Sequence, residues 1–411
     1  MENFRTVGEF EPQESVLLMW PTNEWATESL NVDDVSIQIV ISLISEVTVI
    51  VCCYDEFVSA RARKKLESKH INLSKVTFVT YPSEIPYPRD FGAEVLIGNQ
   101  AGLKRIDFRF NTYGYYEENH ELSIKLQAFS KFHADLIAPM ATTSADLISE
   151  GGDREFNGKG IMMAIKDTEV NKRNPDKTLS EVESEFKRIF GIDKIIWIPE
   201  STYDDEFAFS GAIPDEYGNF SAYRSASANG HVDEMCRFTD EKTILIAQIS
   251  DEEAKINKLH ALNKERLDKA YKVVSNATDA KGEPFNILKM PVPESIYIEL
   301  TPGDDAYGLW SESEASLNGK LEDGTPFPTK TIKVLPALSY CNFLICNGIV
   351  LAQSYYSEGL PLSIKKKDAE ALAVLEKAFP DKHIIQINTL ALNLYGGGIH
   401  CNTRNIPKCK K

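Results

Sequence analysis

Residues 150–165 read EGGDREFNGKGIMMAI, and the order of features in this stretch recurs along the chain. A carboxylate and two glycines come first, Asn157-Gly158 marks a turn, and an apolar run of strand length covers Ile161 to Ile165. Asn-Gly between two apolar runs is the strongest local signal for a β-hairpin. The stretch therefore predicts two antiparallel strands with a polar residue at the start of the first.

A helix and a third strand are predicted directly after this hairpin. Apolar side chains recur at helical spacing over Leu179 to Phe190, and Ser180 with Glu183 fits a capping box at the start of this helix. An apolar β-branched run at Lys194 to Pro199 predicts the strand. Together these segments make one ββαβ unit.

Other parts of the chain follow the same order of polar residue, strand, turn and strand. The polar starts are Arg89-Asp90, His231-Val232-Asp233 and Tyr340-Cys341-Asn342, and the turns are Gly98-Asn99, Thr239-Asp240 and Asn347-Gly348. Further helices are predicted at Asp33 to Glu46, Asp251 to Val274 and Lys367 to Phe379. The opening segment, with strands at Val16 to Trp20 and Val47 to Cys53, counts as one more unit. We therefore predict an α/β protein of five ββαβ-like units.

The spacing between units is uneven, and two insertions account for this. One covers residues 202–229 and is rich in Asp, Tyr and Ser; the other covers 292–332 and is rich in Pro, Gly and acidic residues. Long loops in a compact domain usually carry function or cover a site, although peripheral decoration fits the sequence equally well. We predict a single domain over residues 1–411 that contains both insertions.

Composition excludes several classes of protein. The 411 residues include 61 acidic and 45 basic side chains, a formal net charge of −16, which argues against binding to nucleic acid or anionic membranes. We find no apolar run long enough to span a membrane, and the polar start at Met1 to Arg5 lacks the basic and apolar regions of a secretion signal, so we expect a cytoplasmic protein. The seven cysteines include no CxxC or other zinc-ligand pattern. A homo-oligomer is compatible with the sequence.

The stretch YGGGIHCNT at residues 395–403 is the sharpest candidate for chemistry. Consecutive glycines let the backbone pass close to other groups, so the Cys401 thiol could be delivered into a crowded pocket. A glycine-rich turn beside a buried structural cysteine is the alternative interpretation of this stretch.

His231 and Asp233 share one side of a predicted strand, which suits a general acid and base beside a thiol. The alternative interpretations of this pair are a histidine satisfied at a turn and a pair of metal ligands.

A common axis through the units would bring several of these groups together. Asp90, Glu150, His231 and Asp233 would then converge, and Cys401 would meet them from the end of the chain. Carboxylates bind guanidinium groups through paired hydrogen bonds, and an acidic pocket requires a cation to fill it. This set of residues indicates a substrate with a planar, cationic guanidine group.

Ordered motifs along most of the chain carry a family resemblance. They include Trp20-Pro21, Arg89-Asp90, Glu150-Gly151-Gly152, Gly230-His231-Val232-Asp233 and Gly396-Gly397-Gly398 with Ile399-His400-Cys401. In these motifs the chain resembles the agmatine deiminase and bacterial-type peptidyl-arginine deiminase family of the guanidine-modifying pentein superfamily. The resemblance implies a pentein fold, a five-fold pseudosymmetric α/β propeller of ββαβ modules around a central active-site channel.

The resemblance also implies roles for individual residues. Cys401 would be the nucleophile, His231 the general acid and base, and Glu150 the residue that orients His231. The implied substrate-binding residues are Asp90, Asp233, Trp20, Tyr87 and Arg89. A covalent thiouronium on Cys401 would convert a guanidino compound and water to a ureido compound and ammonia, with no metal or organic cofactor.

Two departures from the family pattern bear on the substrate. Tyr87 stands where the family usually has Trp, and Gly398 stands where it usually has Asn. The first expectation is conversion of agmatine to N-carbamoylputrescine. The alternatives are deimination of arginine, peptidyl-arginine or another guanidine, amidino transfer, a non-catalytic guanidine-binding protein, and a metal hydrolase built on His231, Asp233 and His400.

Overall fold

Five small sheets with the same internal order contain most of the strands in this computed structural model, which describes residues 2–308, 310 and 318–409. In each sheet, two antiparallel strands are followed by a third strand that runs parallel to the second. At least one helix connects the second strand to the third. We call these sheets units 1 to 5, and they match the ββαβ units predicted from the sequence.

Units 2 and 3 occupy the first half of the chain. Unit 2 consists of strands Glu94–Gly98, Leu103–Arg109 and Ala141–Ile148 with helix Glu121–Ile137, and Phe4–Arg5 extends its edge. Unit 3 consists of strands Glu155–Phe156, Ile161–Ile165 and Lys194–Ile198 with helix Leu179–Phe190. The predicted turn at Asn157-Gly158 joins the first two strands of unit 3.

Units 4 and 5 repeat the arrangement in the second half. Unit 4 consists of strands Cys236–Phe238, Thr243–Gln248 and Asn286–Pro291 with helices Asp251–Ile256 and Lys258–Asn276. Unit 5 consists of strands Leu344–Cys346, Ile349–Ser354 and His383–Asn388 with helix Leu362–Ala378. The strands of both units are largely buried because helices cover the sheets.

Unit 1 is completed by the end of the chain. Strand Gln13–Met19 pairs in parallel with Thr48–Cys53 after helix Val32–Leu43, and in antiparallel with the C-terminal strand Thr403–Pro407. A second crossover through helix Glu56–Ser68 adds strand Val76–Thr80. The pairing of the two chain ends closes the ring of units and holds Cys401, two residues before the last strand, near its centre.

Three sequence predictions of local structure require correction. The capping box of helix Leu179–Phe190 uses Thr178 and Glu181, because Thr178 has the extended backbone that a cap needs, so the predicted Ser180 and Glu183 pair is wrong. Asn257 is also extended and caps a second helix, which divides the predicted 251–274 helix in two. The last long helix begins at Leu362, earlier than predicted.

The two insertions meet and form a sheet of their own, which we call the insertion sheet. Its strands are Ile213–Pro214, Phe220–Arg224, Ile332–Leu335 and Ile298–Leu300. Aromatic rings pack beside it, with the Phe209 and Trp310 ring centres 5.3 Å apart. Residues 309 and 311–317 of the second insertion lie outside the described residues.

Short helical turns at the inner ends of the units position the polar residues. They are Pro88–Phe91, Gly151–Asp153, Val232–Glu234 and Ile399–Asn402. Pro88–Phe91 contacts both Ile399–Asn402 and Gly151–Asp153, and the latter also contacts Val232–Glu234. Polar groups from four units therefore share one space.

Among the described residues, no helix combines the length and apolar character needed to cross a bilayer.

Candidate active site

Gly152 marks the point where the predicted site residues converge. A Cβ atom at this position would lie 2.5 Å from Nδ1 of His231, 2.8 Å from Oδ1 of Asp90 and 3.2 Å from Oδ2 of Asp233. Real Cβ atoms do not approach other atoms this closely, so only glycine leaves room for the three side chains. The structure therefore brings together His231 and Asp233, which precede the first strand of unit 4, and Asp90, which precedes the first strand of unit 2.

His231 lies between two carboxylates and is fully buried. Its Nδ1 is 3.5 Å from Oδ1 of Asp90, and its Nε2 is 3.5 Å from Oε2 of Glu150. Burial alone would lower the pKa of His231, but the two carboxylates outweigh it and raise the pKa to about 9. The imidazole is therefore a charged proton donor at neutral pH.

Glu150 is kept ionised by a buried arginine. Nε of Arg173 donates to the two carboxylate oxygens of Glu150 at 2.7 and 3.0 Å. Nη2 of the same arginine donates to the carbonyl of Ala228 at 2.8 Å. Burial by itself would raise the pKa of Glu150, yet Arg173 and His231 lower it to about 2. Arg173 was not among the predicted site residues.

Asp90 is held by donors on both of its oxygens. The backbone N–H of Gly152 donates to Oδ1 at 2.9 Å, and the hydroxyl of Tyr113 donates to Oδ2 at 2.9 Å. Burial raises the pKa of Asp90, and the charge of His231 opposes that shift. These fixed donors orient the carboxylate, which agrees with the predicted role in holding a cation.

Cys401 lies at the inner end of the C-terminal segment with its thiol beside Asn342. Nδ2 of Asn342 donates to Sγ at 3.1 Å, while its Oδ1 accepts the backbone N–H of His400 at 3.0 Å. Burial raises the pKa of the Cys401 thiol, and Asp233, Glu234 and Asp90 add to the effect. Asn342 was absent from the predicted site, although its place at the start of the last unit marks it as the counterpart of Asp90 and Glu150.

The glycines before Cys401 are required by close contacts, as the sequence predicts. A Cβ atom on Gly397 would lie 2.9 Å from Cβ of Cys401 and 2.8 Å from Cε1 of Tyr87. At Gly398 it would lie 2.3 Å from Oε1 of Gln353. Gly398, which stands where the family usually has Asn, therefore leaves room for the side chain of Gln353.

Asp233 belongs to a buried chain of ionisable groups. Nδ1 of His400 lies 2.6 Å from Oδ2 of Asp233, and Nε2 of His400 lies 2.8 Å from Oε2 of Glu9. Among the residues that the structure describes, none forms a hydrogen bond with Oδ1 of Asp233, which can therefore accept from a ligand. Because both ring nitrogens of His400 are already bonded to carboxylates, the alternative metal set of His231, Asp233 and His400 is not assembled. No sequence pattern had singled out Glu9.

The other three predicted substrate-binding residues have different surroundings. Tyr87 lines the cavity above Cys401, and its hydroxyl donates to the carbonyl of Leu392 at 3.1 Å. Trp20 packs in the core with its N–H donating to Asp33 at 2.6 Å. Arg89 lies behind the nucleophile and donates to the carbonyl of His400 at 3.2 Å. Trp20 and Arg89 are not among the described residues that line the cavity, and their predicted contact with substrate stays a prediction.

A cavity of about 930 Å³ leads to Cys401 and Asp90. Both insertions contribute to its wall, through Phe207 and Phe209 in the first and residues 305, 306, 308, 318 and 320–322 in the second. The charged side chains lining the described part of the cavity are Glu84, Asp90, Asp305, Glu322 and Lys320. This size suits a small molecule, and the charged groups of the lining are mainly acidic.

Comparison with known proteins agrees with this geometry. The sequence model of the Porphyromonas-type peptidyl-arginine deiminase family matches residues 5–215 and 219–407. An agmatine deiminase of Medicago truncatula is 27% identical over 98% of this chain and 96% of that protein. An agmatine deiminase of Pseudomonas aeruginosa strain LESB58 is 23% identical over 100% of this chain and 97% of that protein.

Solved structures share the architecture. The agmatine deiminase of Enterococcus faecalis superposes with a TM-score of 0.73 at 20% identity, covering 99% of this chain and 96% of that one. An agmatine deiminase of C. jejuni, solved with substrate bound, gives a TM-score of 0.67 at 20% identity, covering 100% of this chain and 98% of that one. The predicted pentein fold is thereby confirmed. The chain belongs to the Porphyromonas-type peptidyl-arginine deiminase family.

Proposed function

We propose that this protein is a guanidine deiminase that hydrolyses agmatine to N-carbamoylputrescine and ammonia. The observation that carries the proposal is the buried cluster of the Cys401 thiol, the His231 imidazole and several carboxylates, which a cavity lined by Cys401 and Asp90 reaches. Full-length similarity to proteins named agmatine deiminase supports it. The assignment of individual residues below is part of the same proposal.

Substrate binding follows from the charges at the cavity floor. Asp90 and Asp233 are buried carboxylates, and Oδ1 of Asp233 lacks a partner. A guanidinium group offers planar N–H donors that match such oxygens, and its positive charge offsets two buried negative charges. We assign Asp90 and Asp233 as the residues that hold the guanidinium carbon beside Cys401.

The same cation activates the nucleophile. The carboxylates that raise the pKa of the Cys401 thiol are those that a bound guanidinium would neutralise. The thiol proton therefore leaves to solvent more readily once substrate has entered. The thiolate is then stabilised by the N–H donor of Asn342 at 3.1 Å. Substrate, more than His231, supplies the positive charge, because His231 already faces Asp90 and Glu150.

The chemical steps use His231 twice. The Cys401 thiolate forms a bond to the guanidinium carbon and gives a tetrahedral adduct; His231 donates a proton to one nitrogen, and the C–N bond breaks to release ammonia. A thiouronium remains on Cys401. Neutral His231 then accepts a proton from water and the hydroxyl adds to the carbon. The C–S bond breaks with its electron pair on sulfur, which regenerates the Cys401 thiolate, and the hydroxyl proton passes to ammonia or solvent as the C=O bond of the ureido product forms. Glu150 keeps His231 oriented and charged between cycles.

The cavity lining favours agmatine over arginine. Apart from Asp90, the charged residues that line the described part of the cavity are the acidic Glu84, Asp305 and Glu322 and the basic Lys320. Such a lining attracts the ammonium at the end of agmatine and disfavours the α-carboxylate of arginine. The substrate-bound agmatine deiminase of C. jejuni has the same fold.

The test is ammonia release by the purified protein from agmatine, free arginine, arginine methyl ester, a short arginine peptide and alkylguanidines. We expect release from agmatine with the ureido product in equal amount, and none with Cys401→Ala. Equal release from arginine would contradict the assignment of agmatine. Transfer of the amidino group to an added amine without ammonia would identify an amidinotransferase, and binding of agmatine without turnover by the intact protein would identify a binding protein.

A further inference from the structure

Three potential metal-ligand atoms lie together beside the Cys401 thiol. They belong to Asp233, Glu234 and Cys401 and lie within 4.8 Å of one another. Sγ of Cys401 is 3.8 Å from Oδ2 of Asp233 and 3.8 Å from Oε1 of Glu234. Sulfur and oxygen ligands of a tetrahedral zinc ion lie about 3.6 Å apart, as follows from its bond lengths. Small side-chain adjustments alone would give that spacing.

The surroundings of these atoms resemble the support that metal ligands need. Oδ2 of Asp233, the oxygen 3.8 Å from Sγ of Cys401, is held by His400 at 2.6 Å, which fixes the orientation of the carboxylate. Nδ2 of Asn342 lies 2.9 Å from Oε1 of Glu234 and orients that group as well. Within the part of the chain that the structure describes, Oδ1 of the same buried Asp233 carboxylate has no hydrogen-bond partner. A fully buried carboxylate with an unused acceptor and one oxygen near a thiol indicates that a cation can complete the set.

The types of ligand atom also favour a cation. A divalent ion would form bonds to the carboxylate oxygens of Asp233 and Glu234 and to the sulfur of Cys401, whose thiol proton would pass to solvent. Thiolate and carboxylate ligands together suit zinc and the softer cadmium better than magnesium or calcium.

We propose that Asp233, Glu234 and Cys401 form a binding site for a zinc-class divalent cation, and that occupation of this site blocks the nucleophile. The binding site itself does not rest on the proposed deiminase activity, because it needs only the three ligands. Its inhibitory effect does rest on that activity. Metal and guanidinium would compete for the same negative charges, so inhibition should be competitive with substrate and reversed by a chelator.

The experiment is a titration of the purified protein with Cd²⁺ alone, followed by the ultraviolet charge-transfer absorption of a cadmium–thiolate bond, with Zn²⁺ binding measured by calorimetry. We expect one ion per chain with the absorption band, and no band in Cys401→Ala. Glu234→Gln should weaken binding at least tenfold. Cys409→Ala removes a half-exposed thiol outside the cavity and should change nothing.

Two results would overturn the site: a band that persists in Cys401→Ala, or equal affinity in the wild type and Glu234→Gln. If Glu234→Gln does not fold, Glu234→Asp shortens the side chain and should weaken binding to a smaller extent; unchanged affinity would again contradict the proposal. Cadmium binding without agmatine turnover would reject the proposed function and keep the site. Agmatine turnover without cadmium binding would reject the metal site and keep the proposed function.

Discussion

Oε2 of Glu9 lies 2.8 Å from Nε2 of His400, although 391 positions separate the two residues in the chain. His400 immediately precedes the proposed nucleophile and holds Asp233 at 2.6 Å. Glu9 also pairs with Arg89 at 3.1 Å and Arg237 at 3.0 Å. The N-terminal segment therefore holds His400, which in turn holds Asp233, and we propose that Glu9 is a positioning residue for the guanidine site.

Replacing Glu9 by Gln should lower kcat/KM for agmatine about tenfold, since hydrogen bonds to charged groups contribute about 1.5–3 kcal/mol. The loss should fall mainly on KM, because Asp233 loses its fixed orientation. Steady-state kinetics would check this, with Glu9→Asp expected to recover part of the loss. Glu11→Gln is the matched control, because Glu11 forms its ion pair with the exposed Arg5. Equal kinetics in Glu9→Gln and wild type would contradict the role.

The pH dependence of kcat/KM should follow His231. At neutral pH both His231 and the Cys401 thiol hold a proton. The pair must lose one of these two protons before the Cys401 thiolate can attack the guanidinium carbon. Because the pKa of His231 is about 9 and that of Cys401 is raised well above its usual value, kcat/KM should rise with pH until about 9. Glu150→Gln removes a charge that raises the pKa of His231, so the break should move to lower pH. A pH–rate profile with the same break in both proteins would refute this.

Loss of Arg173 should destabilise the fold. Arg173→Met leaves Glu150 buried without its cation, which costs about 3–5 kcal/mol of unfolding free energy. Urea denaturation would measure the change. In the double variant Glu150→Gln/Arg173→Met the cost should be smaller, because no charge is left unpaired. Arg188→Met, which removes a surface pair with Glu185, should cost about 1 kcal/mol or less.

A single methyl group at Gly397 should disable the site. In Gly397→Ala the new Cβ would meet Cys401 and Tyr87 at less than 3.0 Å, so the thiol must shift. We expect kcat to fall about 100-fold, the loss typical of a misplacement near 1 Å. Gly303→Ala is the control, since its nearest neighbouring atom would be 3.9 Å away. Wild-type kcat in Gly397→Ala would show that the loop adapts.

Much of the fold could be predicted because its signals are local. The Asn157-Gly158 and Asn347-Gly348 turns, the apolar strand runs and the helical spacing each depend on residues a few positions apart. Repetition of that order predicted the units, and the polar residue at each start predicted Asp90, Glu150 and His231. The predicted starts of helices were less accurate. Thr178 and Asn257 cap their helices through an extended backbone, which the spacing of apolar residues in the sequence does not reveal.

The sequence by itself determined the ββαβ units, the polar residues that open them and the thiol after the glycine loop, because backbone propensity and turn chemistry act between near neighbours. The tertiary structure alone decided that the C-terminal strand completes unit 1, that the two insertions form one sheet, and that Glu9 supports His400. It also decided that Trp20 and Arg89 are not among the described residues that line the cavity. These outcomes depend on contacts between residues far apart in the chain, whose packing and charge pairing leave no periodic trace in the sequence.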